Sequence, residues 1–225
     1  MTFGDGKLIT ITGIDGAGKS TLAKNVCDEL RDQGFSATYV YGRFLPVLSY
    51  PVMELGRRTV LANSDLDEDY VDHQEKKTNL FSSGGLRRLY ELLVMSDYAP
   101  QLLLRVVRPL LTHEYVICDR YFYDTLLTDL GGDVIREPNA AITRYKYYEK
   151  FIPSPKIEFY IDVPPDVAFA RKSDVPQIEY LEDRKRFYDE FAAERNFTKL
   201  DGTQSPETLC AIVTEEILAG SWPSE

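Results

Sequence analysis

Little cysteine, histidine or tryptophan is present in this chain, and the scarcity narrows the chemistry that it could perform. The three cysteines, Cys27, Cys118 and Cys210, lie far apart in apolar surroundings, and no two have the spacing of metal ligands. We therefore expect reduced thiols in the core of a cytoplasmic protein rather than disulfides or a zinc site. The two histidines, His73 and His113, have polar neighbours and are expected at the surface.

Basic residues are also few relative to acidic ones. The chain has 26 Lys and Arg residues against 36 Asp and Glu residues, and its net charge is -10. Non-specific nucleic-acid binding needs a basic surface, so we expect no nucleic-acid partner. No apolar run approaches the ~18 residues that span a membrane, and the first residues lack the basic and apolar regions of a signal peptide. The expected location is therefore the cytoplasm, without membrane contact.

What the sequence does contain is enough apolar material for one large core. The 225 residues are 44% hydrophobic, which fits a single domain over residues 1–225 better than two small ones. The acidic stretch 63–72 could bind a metal ion, but it lacks the ligand spacing of an EF-hand, and a solvated loop is the favoured interpretation.

The most informative stretch is a glycine-rich segment near the beginning. It follows an apolar run, Leu8 to Thr12, and precedes a helical pattern, and it contains the P-loop motif G-x-x-x-x-G-K-[ST]. Glycines let successive N–H groups point into one concavity, and the following helix N-terminus adds positive potential. The alternative is a chance match to a glycine-rich turn. We predict that ATP phosphates bind the whole segment: Gly13, Ile14, Asp15, Gly16, Ala17, Gly18, Lys19, Ser20 and Thr21. Lys19 would reach the outer phosphates, and the Ser20 hydroxyl would ligate Mg²⁺.

The elements after this loop predict a parallel sheet. A helix stripe that ends near Gly34 is followed by a strand-like run at 35–41, which makes a βαβ unit. Further strands are predicted at 115–121, 157–162 and 196–200. Ligands of such sheets bind beyond the strand C-termini, so Arg43 is either a contact for a substrate phosphate or a surface arginine.

A second functional segment is predicted at residues 115–121. Its apolar run is typical of a central parallel strand and ends in Asp119, Arg120 and Tyr121. A carboxylate at that edge can hold the water shell of Mg²⁺, and the neighbouring guanidinium can bind an acceptor phosphate. Alternatively, Asp119 caps a helix and Arg120 pairs with a nearby carboxylate.

The third segment is a predicted lid over about residues 171–184. Arginines on a closing lid can neutralise the charge of a transferring phosphoryl group, which makes Arg171 and Arg184 candidates. Both could instead lie on solvated helix faces, paired with nearby acidic residues. The turn Asp201 to Gln204 follows the last strand at the same sheet edge and could border an adenine.

Two helical segments have more open interpretations. The apolar pattern from Leu86 to Leu111, which Pro100 is expected to kink or restart, could pack on the sheet or in a dimer interface. The run from Tyr145 to Tyr148 could stack on a base, or it could be the half-buried face of a helix.

These motifs resemble the thymidylate kinase-like family of P-loop nucleoside monophosphate kinases. The resemblance lies in the loop, Asp119-Arg120-Tyr121, the lid from Arg171, Asp183-Arg184 and the segment 201–207. It implies a three-layer α/β P-loop NTPase fold with a parallel five-stranded sheet, helices on both faces and a mobile lid. It also implies a homodimer that uses ATP and Mg²⁺ to convert dTMP to dTDP.

The resemblance further implies individual roles. Asp15 would contact the acceptor sugar hydroxyl, and Arg120, followed by Tyr121, would hold the acceptor phosphate. Because Gly16 stands where some members have a catalytic arginine, that role would pass to Arg171 and Arg184. Asp201 and Gly202 would line the adenine pocket.

The sequence departs from the family pattern in two places that concern the acceptor. Tyr41-Gly42-Arg43-Phe44 replaces Thr-Arg-Glu-Pro, and Ser96-Asp97-Tyr98 replaces Ala-Asp-Arg, so an arginine expected to bind the acceptor phosphate is absent. Arg43, Arg87 or Arg88 could replace it. Two alternatives therefore stay open: a kinase of the same fold acting on a nucleoside or another small phosphorylated metabolite, and a nucleotide-binding module without catalytic activity.

Overall fold

The computed structural model describes residues 6–47, 49–51, 54, 84–128, 138–172, 175 and 177–220. The acidic stretch 63–72, for which a solvated loop is the favoured interpretation, lies outside the described residues.

Five parallel strands form one sheet. They are β1 (Lys7–Thr12), β2 (Ala37–Tyr41), β3 (Tyr115–Asp119), β4 (Ile157–Asp162) and β5 (Thr198–Asp201), arranged in the order β2-β3-β1-β4-β5. Every residue of β3 is buried, as the continuous apolar run of a central strand predicts. The predicted parallel five-stranded sheet is confirmed.

The described helices are α1 (Lys19–Asp32), α2 (Gly84–Leu102), α3 (Arg108–Leu110), α4 (Phe122–Asp124), α5 (Pro138–Tyr148), α6 (Pro165–Ala170), α7 (Ile178–Arg195) and α8 (Pro206–Ala219). A π-helical turn, Leu103–Val107, joins α2 to α3, and a 3-10 turn, Glu149–Phe151, follows α5. Within these ranges no helix has both the length and the apolar character needed to cross a membrane.

Side-chain contacts show that helices cover both faces of the sheet. On one face the Lys24 ammonium of α1 lies 5.5 Å from the ring of Tyr39, and α1 also packs against α8. On the other face the Tyr160 ring of β4 stacks on Tyr188 of α7 with the ring centroids 6.1 Å apart. Residues of a strand alternate between the two faces, so the chain folds into three layers.

Aromatic residues fill the core beneath α5 and α7. Tyr123, Tyr145, Phe191 and Phe197 are buried, and the ring of Tyr123 lies 5.2 to 6.0 Å from the other three rings. Tyr145 therefore belongs to the core, while Tyr147 is 63% exposed, so the segment 145–148 is a half-buried helix face.

Helix α2 continues through Pro100, so the helix does not restart at this proline. The hydrogen-bond pattern of the helix changes after Leu102, in the π-helical turn Leu103–Val107. Such turns occur as local bulges within α-helices. One side of this long element is buried in the hydrophobic core through Val94, Tyr98 and Val106. On the opposite side four leucines are each more than half exposed: Leu89, Leu92, Leu103 and Leu104.

Candidate active site

The loop between β1 and α1 has a backbone that only glycine accommodates at its tightest points. Gly13, Gly16 and Gly18 have φ angles of 148°, 84° and 93°. A Cβ on Gly16 would lie 2.3 Å from the carbonyl oxygen of Ala168, and one on Gly13 would lie 2.7 Å from that of Ile161. The loop is therefore packed tightly against β4 and α6, and an arginine at position 16 would need the Ala168 backbone to move.

Lys19 is folded back onto this loop. Its ammonium donates a 2.6 Å hydrogen bond to the carbonyl oxygen of Ile14, and only 4% of the residue is exposed. Burial and the neighbouring charge of Arg120 lower the pKa of Lys19 to about 7, although Asp15 and Asp124 act in the opposite direction. Without a ligand, Lys19 is therefore only partly protonated near neutral pH, and a bound anion would favour its ammonium form.

Ser20 and Asp119 form the oxygen-rich part of the site. The Ser20 hydroxyl donates to Asp119 Oδ2 at 2.5 Å, and the Tyr39 hydroxyl donates to the same oxygen at 2.9 Å. Asp119 Oδ1 is buried without a hydrogen-bond partner in the described part of the chain. Hydroxyl and carboxylate oxygens are the ligands that Mg²⁺ prefers, so these residues fit a hard divalent cation.

Asp15 and Arg120 join the loop to the end of β3. Arg120 Nη2 lies 2.5 Å from Asp15 Oδ1, and Arg120 has a φ angle of 66°. Lys172 Nζ is 3.8 Å from the same oxygen, and the Tyr180 hydroxyl donates to Asp15 Oδ2 at 3.4 Å. Burial opposes the charged carboxylate, but Arg120, Lys19 and Lys172 outweigh it and hold the pKa of Asp15 well below its usual range.

Arg43 lies close enough to Arg120 for the two charges to interact. Burial and the charge of Arg43 both lower the pKa of Arg120, whereas Tyr188, Asp15 and Asp124 raise it, with a net upward shift. The half-buried Arg43 follows β2 and Arg120 follows β3, and these strands are neighbours in the sheet. Two arginines at adjacent strand ends form a site suited to a phosphate group.

Asp124 is a buried carboxylate that the sequence analysis missed. It accepts hydrogen bonds from the Thr12 hydroxyl at 2.6 Å, the Tyr121 amide at 2.6 Å and the Tyr188 hydroxyl at 2.7 Å. Burial raises its pKa, although Arg120 and these donors act in the opposite direction. The available signal was a capping pattern, since Asp124 is the third residue of the short helix that Tyr121 caps. Asp124 thus connects β1, α4 and α7 behind the phosphate loop.

The predicted lid residues have specific partners. Arg171 Nη1 donates to the Gly202 carbonyl oxygen at 2.9 Å, which links α6 to the turn after β5. Arg184 is 4% exposed, donates to the carbonyl oxygens of Leu127 and Thr128 at 3.3 and 2.6 Å, and lies over the ring of Tyr180. The alternative of a solvated helix face is therefore wrong for Arg184. Its catalytic role, like that of Arg171, stays a prediction.

Two further residues predicted to contact a ligand have hydrogen-bond partners other than Asp15, Lys19 and Arg120. Tyr121 is fully buried, and its hydroxyl donates to the carbonyl oxygen of Pro153 at 2.6 Å. In this structure Tyr121 is a core residue, because β3 ends before it and its ring packs on Tyr123. Asp201 is exposed and accepts hydrogen bonds from Thr203 in the turn that also contains the buried Gly202.

Comparison with known proteins adds a family context to this geometry. No protein-family model matches the chain. The chain is 27% identical over 184 residues to the thymidylate kinase of Buchnera aphidicola subsp. Baizongia pistaciae, which covers 81% of the chain and 76% of the relative. It is 29% identical over 219 residues to the probable thymidylate kinase of Natronomonas pharaonis, with 93% and 96% covered. A thymidylate kinase of Pelodictyon phaeoclathratiforme is 31% identical over 175 residues, with 73% and 65% covered.

Proposed function

We propose that this chain moves the γ-phosphoryl group of ATP onto the phosphate of a nucleoside monophosphate, with dTMP as the first candidate. The chain belongs to the thymidylate kinase-like family and is a phosphotransferase. The observation that carries the proposal is the ion pair between Asp15 and Arg120, which places a buried arginine directly beside the phosphate loop. A nucleotide-binding loop alone would not need that second cation.

On the donor side, the loop 13–21 would bind the ATP phosphates. Lys19 would exchange the carbonyl oxygen of Ile14 for the outer phosphates, where its ammonium offsets the charge of the transferring group. Gly18, Ser20 and Thr21 are exposed, which leaves the rim of the loop open to a ligand. Asp201 and Gly202 would border the adenine, in contact with α6 through Arg171.

Mg²⁺ would be held by the Ser20 hydroxyl and, through its water shell, by Asp119. When bound, the ion would neutralise charge on the phosphates. Tyr39 would keep Asp119 oriented through its hydrogen bond to Oδ2.

On the acceptor side, Arg43 and Arg120 would bind the monophosphate, and Asp15 would hold Arg120 and contact the acceptor sugar. An oxygen of the acceptor phosphate would attack the γ-phosphorus, the bond to the β-phosphate oxygen would break, and ADP would leave. The protein would contribute the positioning of the two substrates and the compensation of their charge, which suffices for phosphoryl transfer.

The lid of about residues 171–184 would complete the site. Arg171 and Arg184 remain the proposed catalytic arginines, and Lys172 joins them because its ammonium already lies 3.8 Å from Asp15. If neither Arg171→Ala nor Arg184→Ala lowers kcat by more than about tenfold, neither arginine is catalytic.

A different acceptor for the same chemistry is favoured by one observation. Tyr98, which stands where the family pattern has an arginine, is 3% exposed and bonds to the carbonyl oxygen of Gly42. A coupled assay with Mg-ATP over nucleoside monophosphates, nucleosides and small phosphorylated metabolites distinguishes dTMP from a different acceptor. Turnover of dTMP or dUMP supports the first proposal, and turnover of another acceptor alone replaces it. A module without catalysis would bind ATP and turn over none of them.

We also propose that the chain forms a cytoplasmic homodimer through the exposed leucines of α2 and the π-helical turn. Leu92 and Leu104 are 63% and 62% exposed, and an apolar surface of this kind is stabilised by burial. Sedimentation of the parent and of Leu92→Glu tests the proposal, since a monomeric parent would contradict it.

A further inference from the structure

Helix α2 holds the backbone of the segment that carries Arg43. The Tyr98 hydroxyl donates to the carbonyl oxygen of Gly42. The Gln101 side-chain amide pairs with both backbone groups of Leu45, accepting from its N–H at 3.2 Å and donating to its carbonyl oxygen at 2.7 Å. Two contacts with this segment therefore come from Tyr98 and Gln101, which lie on one side of α2.

Asp97 makes the third contact, with the residues that follow. Its Oδ2 accepts from the N–H groups of Val47 and Ser49, both at 2.9 Å, and from the Ser49 hydroxyl at 2.7 Å. Asp97 is 2% exposed, and a buried carboxylate with several donors resists displacement. We call Asp97, Tyr98 and Gln101 the α2 clamp.

The clamp fixes the residues on both sides of Arg43. The Phe44 ring packs against Tyr98, and the Phe44 N–H donates to the Thr125 hydroxyl at 3.0 Å. Gly42 donates to the carbonyl oxygen of Asp119, and a Cβ on Gly42 would lie 2.5 Å from the Arg120 carbonyl oxygen. The backbone at Arg43 is thus held between α2 and the end of β3, beside Arg120.

We infer that Tyr98 is a positioning residue that orients Arg43 for the acceptor phosphate through the carbonyl oxygen of Gly42. Position 98 then acts on the acceptor indirectly, by holding an arginine from the β2 end instead of supplying one. The inference rests on the proposed function, because it assigns Arg43 to the acceptor phosphate.

Tyr98→Phe tests the inference, since it removes one hydroxyl and keeps the ring packing. We expect the KM for the accepted monophosphate to rise about tenfold, with the KM for ATP and kcat changed less than about twofold. The matched control is Tyr148→Phe, which also removes a phenol hydrogen bond to α2, the 3.1 Å contact with Glu91. Both KM values of the control should stay at the parent level. An acceptor KM that Tyr98→Phe leaves unchanged would overturn the inference.

A double-mutant cycle separates positioning from general loosening of the fold. In an Arg43→Ala background, Tyr98→Phe should add less than about twofold to the acceptor KM, because the arginine that it positions is already gone. The full tenfold effect in that background would show that Tyr98 acts by another route and would overturn the inference.

Hydrogen exchange of the backbone amides at Leu45 and Val47 keeps the inference separate from the proposed function. If the parent turns over no monophosphate, the proposed function fails, while faster exchange of these amides in Tyr98→Phe still supports the clamp. Parent-like exchange of both amides in Tyr98→Phe would overturn it. Gln101→Leu is the reference for a lost contact, because it removes the oxygen that accepts from the Leu45 N–H.

Discussion

Asp15 and Arg120 are 105 positions apart in the chain, and their side chains meet with Asp15 Oδ1 2.5 Å from Arg120 Nη2. The sheet brings them together, because β1 and β3 pair in parallel with Ile11 beside Asp119. The residues just past both strand ends therefore lie at the same edge. The pair links the proposed donor loop to the proposed acceptor arginine.

Asp15→Asn should weaken both stability and acceptor binding. The variant leaves Arg120 without its nearest counter-charge, and we expect the free energy of unfolding to fall by about 2 kcal/mol and the acceptor KM to rise at least about tenfold. Urea denaturation and steady-state kinetics measure the two effects. The control is Asp28→Asn, whose partner Arg31 is half exposed and whose loss should cost at most about 0.5 kcal/mol. Equal stability losses in the two variants would contradict this account of the pair.

ATP binding should take up a proton above neutral pH. The pKa of Lys19 is about 7 without ligand, so most of this group is neutral at pH 8.5, and bound phosphates favour the ammonium form. Titration calorimetry in buffers of different ionisation enthalpy should show about one proton taken up per ATP at pH 8.5 and close to none at pH 6. Lys19→Arg, which stays charged, should lose the uptake. Binding of ATP at pH 8.5 without proton uptake in the parent would exclude this protonation change.

Gly16→Ala should damage the loop more than a glycine substitution in open space does. Gly16 combines a φ angle of 84° with the Ala168 carbonyl oxygen 2.3 Å from the added Cβ, whereas Gly34 has a φ of 91° and nothing within 4 Å. We expect Gly34→Ala to cost about 1 kcal/mol from backbone strain alone. Gly16→Ala should cost more and lower ATP affinity at least about tenfold, as measured by unfolding and calorimetry. Similar losses of stability in both variants, with ATP affinity intact, would mean that the Ala168 backbone yields easily.

Glu158 should make stability fall as pH rises. Burial outweighs the ion pair with Arg195 and raises the pKa of Glu158 from 4.5 to about 7. Between these values the native state binds the proton more tightly than the unfolded state, so the free energy of unfolding decreases as pH increases through that window. Glu158→Gln removes this loss, and its stability relative to the parent should be higher at pH 8.5 than at pH 5.

The control for Glu158 is an acidic residue whose pKa moves in the opposite direction. Lys146 lowers the pKa of the exposed Glu194 from 4.5, so the effect of this carboxylate is already complete at pH 5, and Glu194→Gln should have the same stability relative to the parent at pH 5 and pH 8.5. Thermal unfolding of both variants at the two pH values measures the difference. A Glu158→Gln variant with the same relative stability at both values would contradict the raised pKa.

Local patterns were sufficient to predict the sheet and the phosphate loop. Strands such as Tyr115–Asp119 show a continuous apolar run, and the strand predicted at 157–162 coincides with β4. The loop motif placed Lys19 and Ser20 because its spacing is a direct consequence of the backbone that it builds. The order of strands then brought Asp119 and Arg120 to the predicted edge.

Contacts between distant segments could not be predicted in the same way. Asp124, Lys172 and the partners of Arg184 depend on how α4, α6 and α7 pack together, which no periodicity in a single segment encodes. Tyr98 illustrates the limit most clearly. Its sequence context showed only that an arginine was absent, whereas its bond to Gly42 shows which segment it holds. Long-range packing decides such roles.

The central claim is that Arg120 binds the phosphate of a nucleoside monophosphate acceptor while the loop 13–21 binds ATP. Turnover of monophosphates by the parent and by Arg120→Ala, with ATP binding measured on the same samples, tests it most directly. We predict that the parent phosphorylates a nucleoside monophosphate and that Arg120→Ala loses at least about a hundredfold in kcat/KM, near 2.7 kcal/mol of barrier, while still folding and binding ATP. Parent-like turnover in Arg120→Ala, or an absence of turnover with every monophosphate, would contradict the claim.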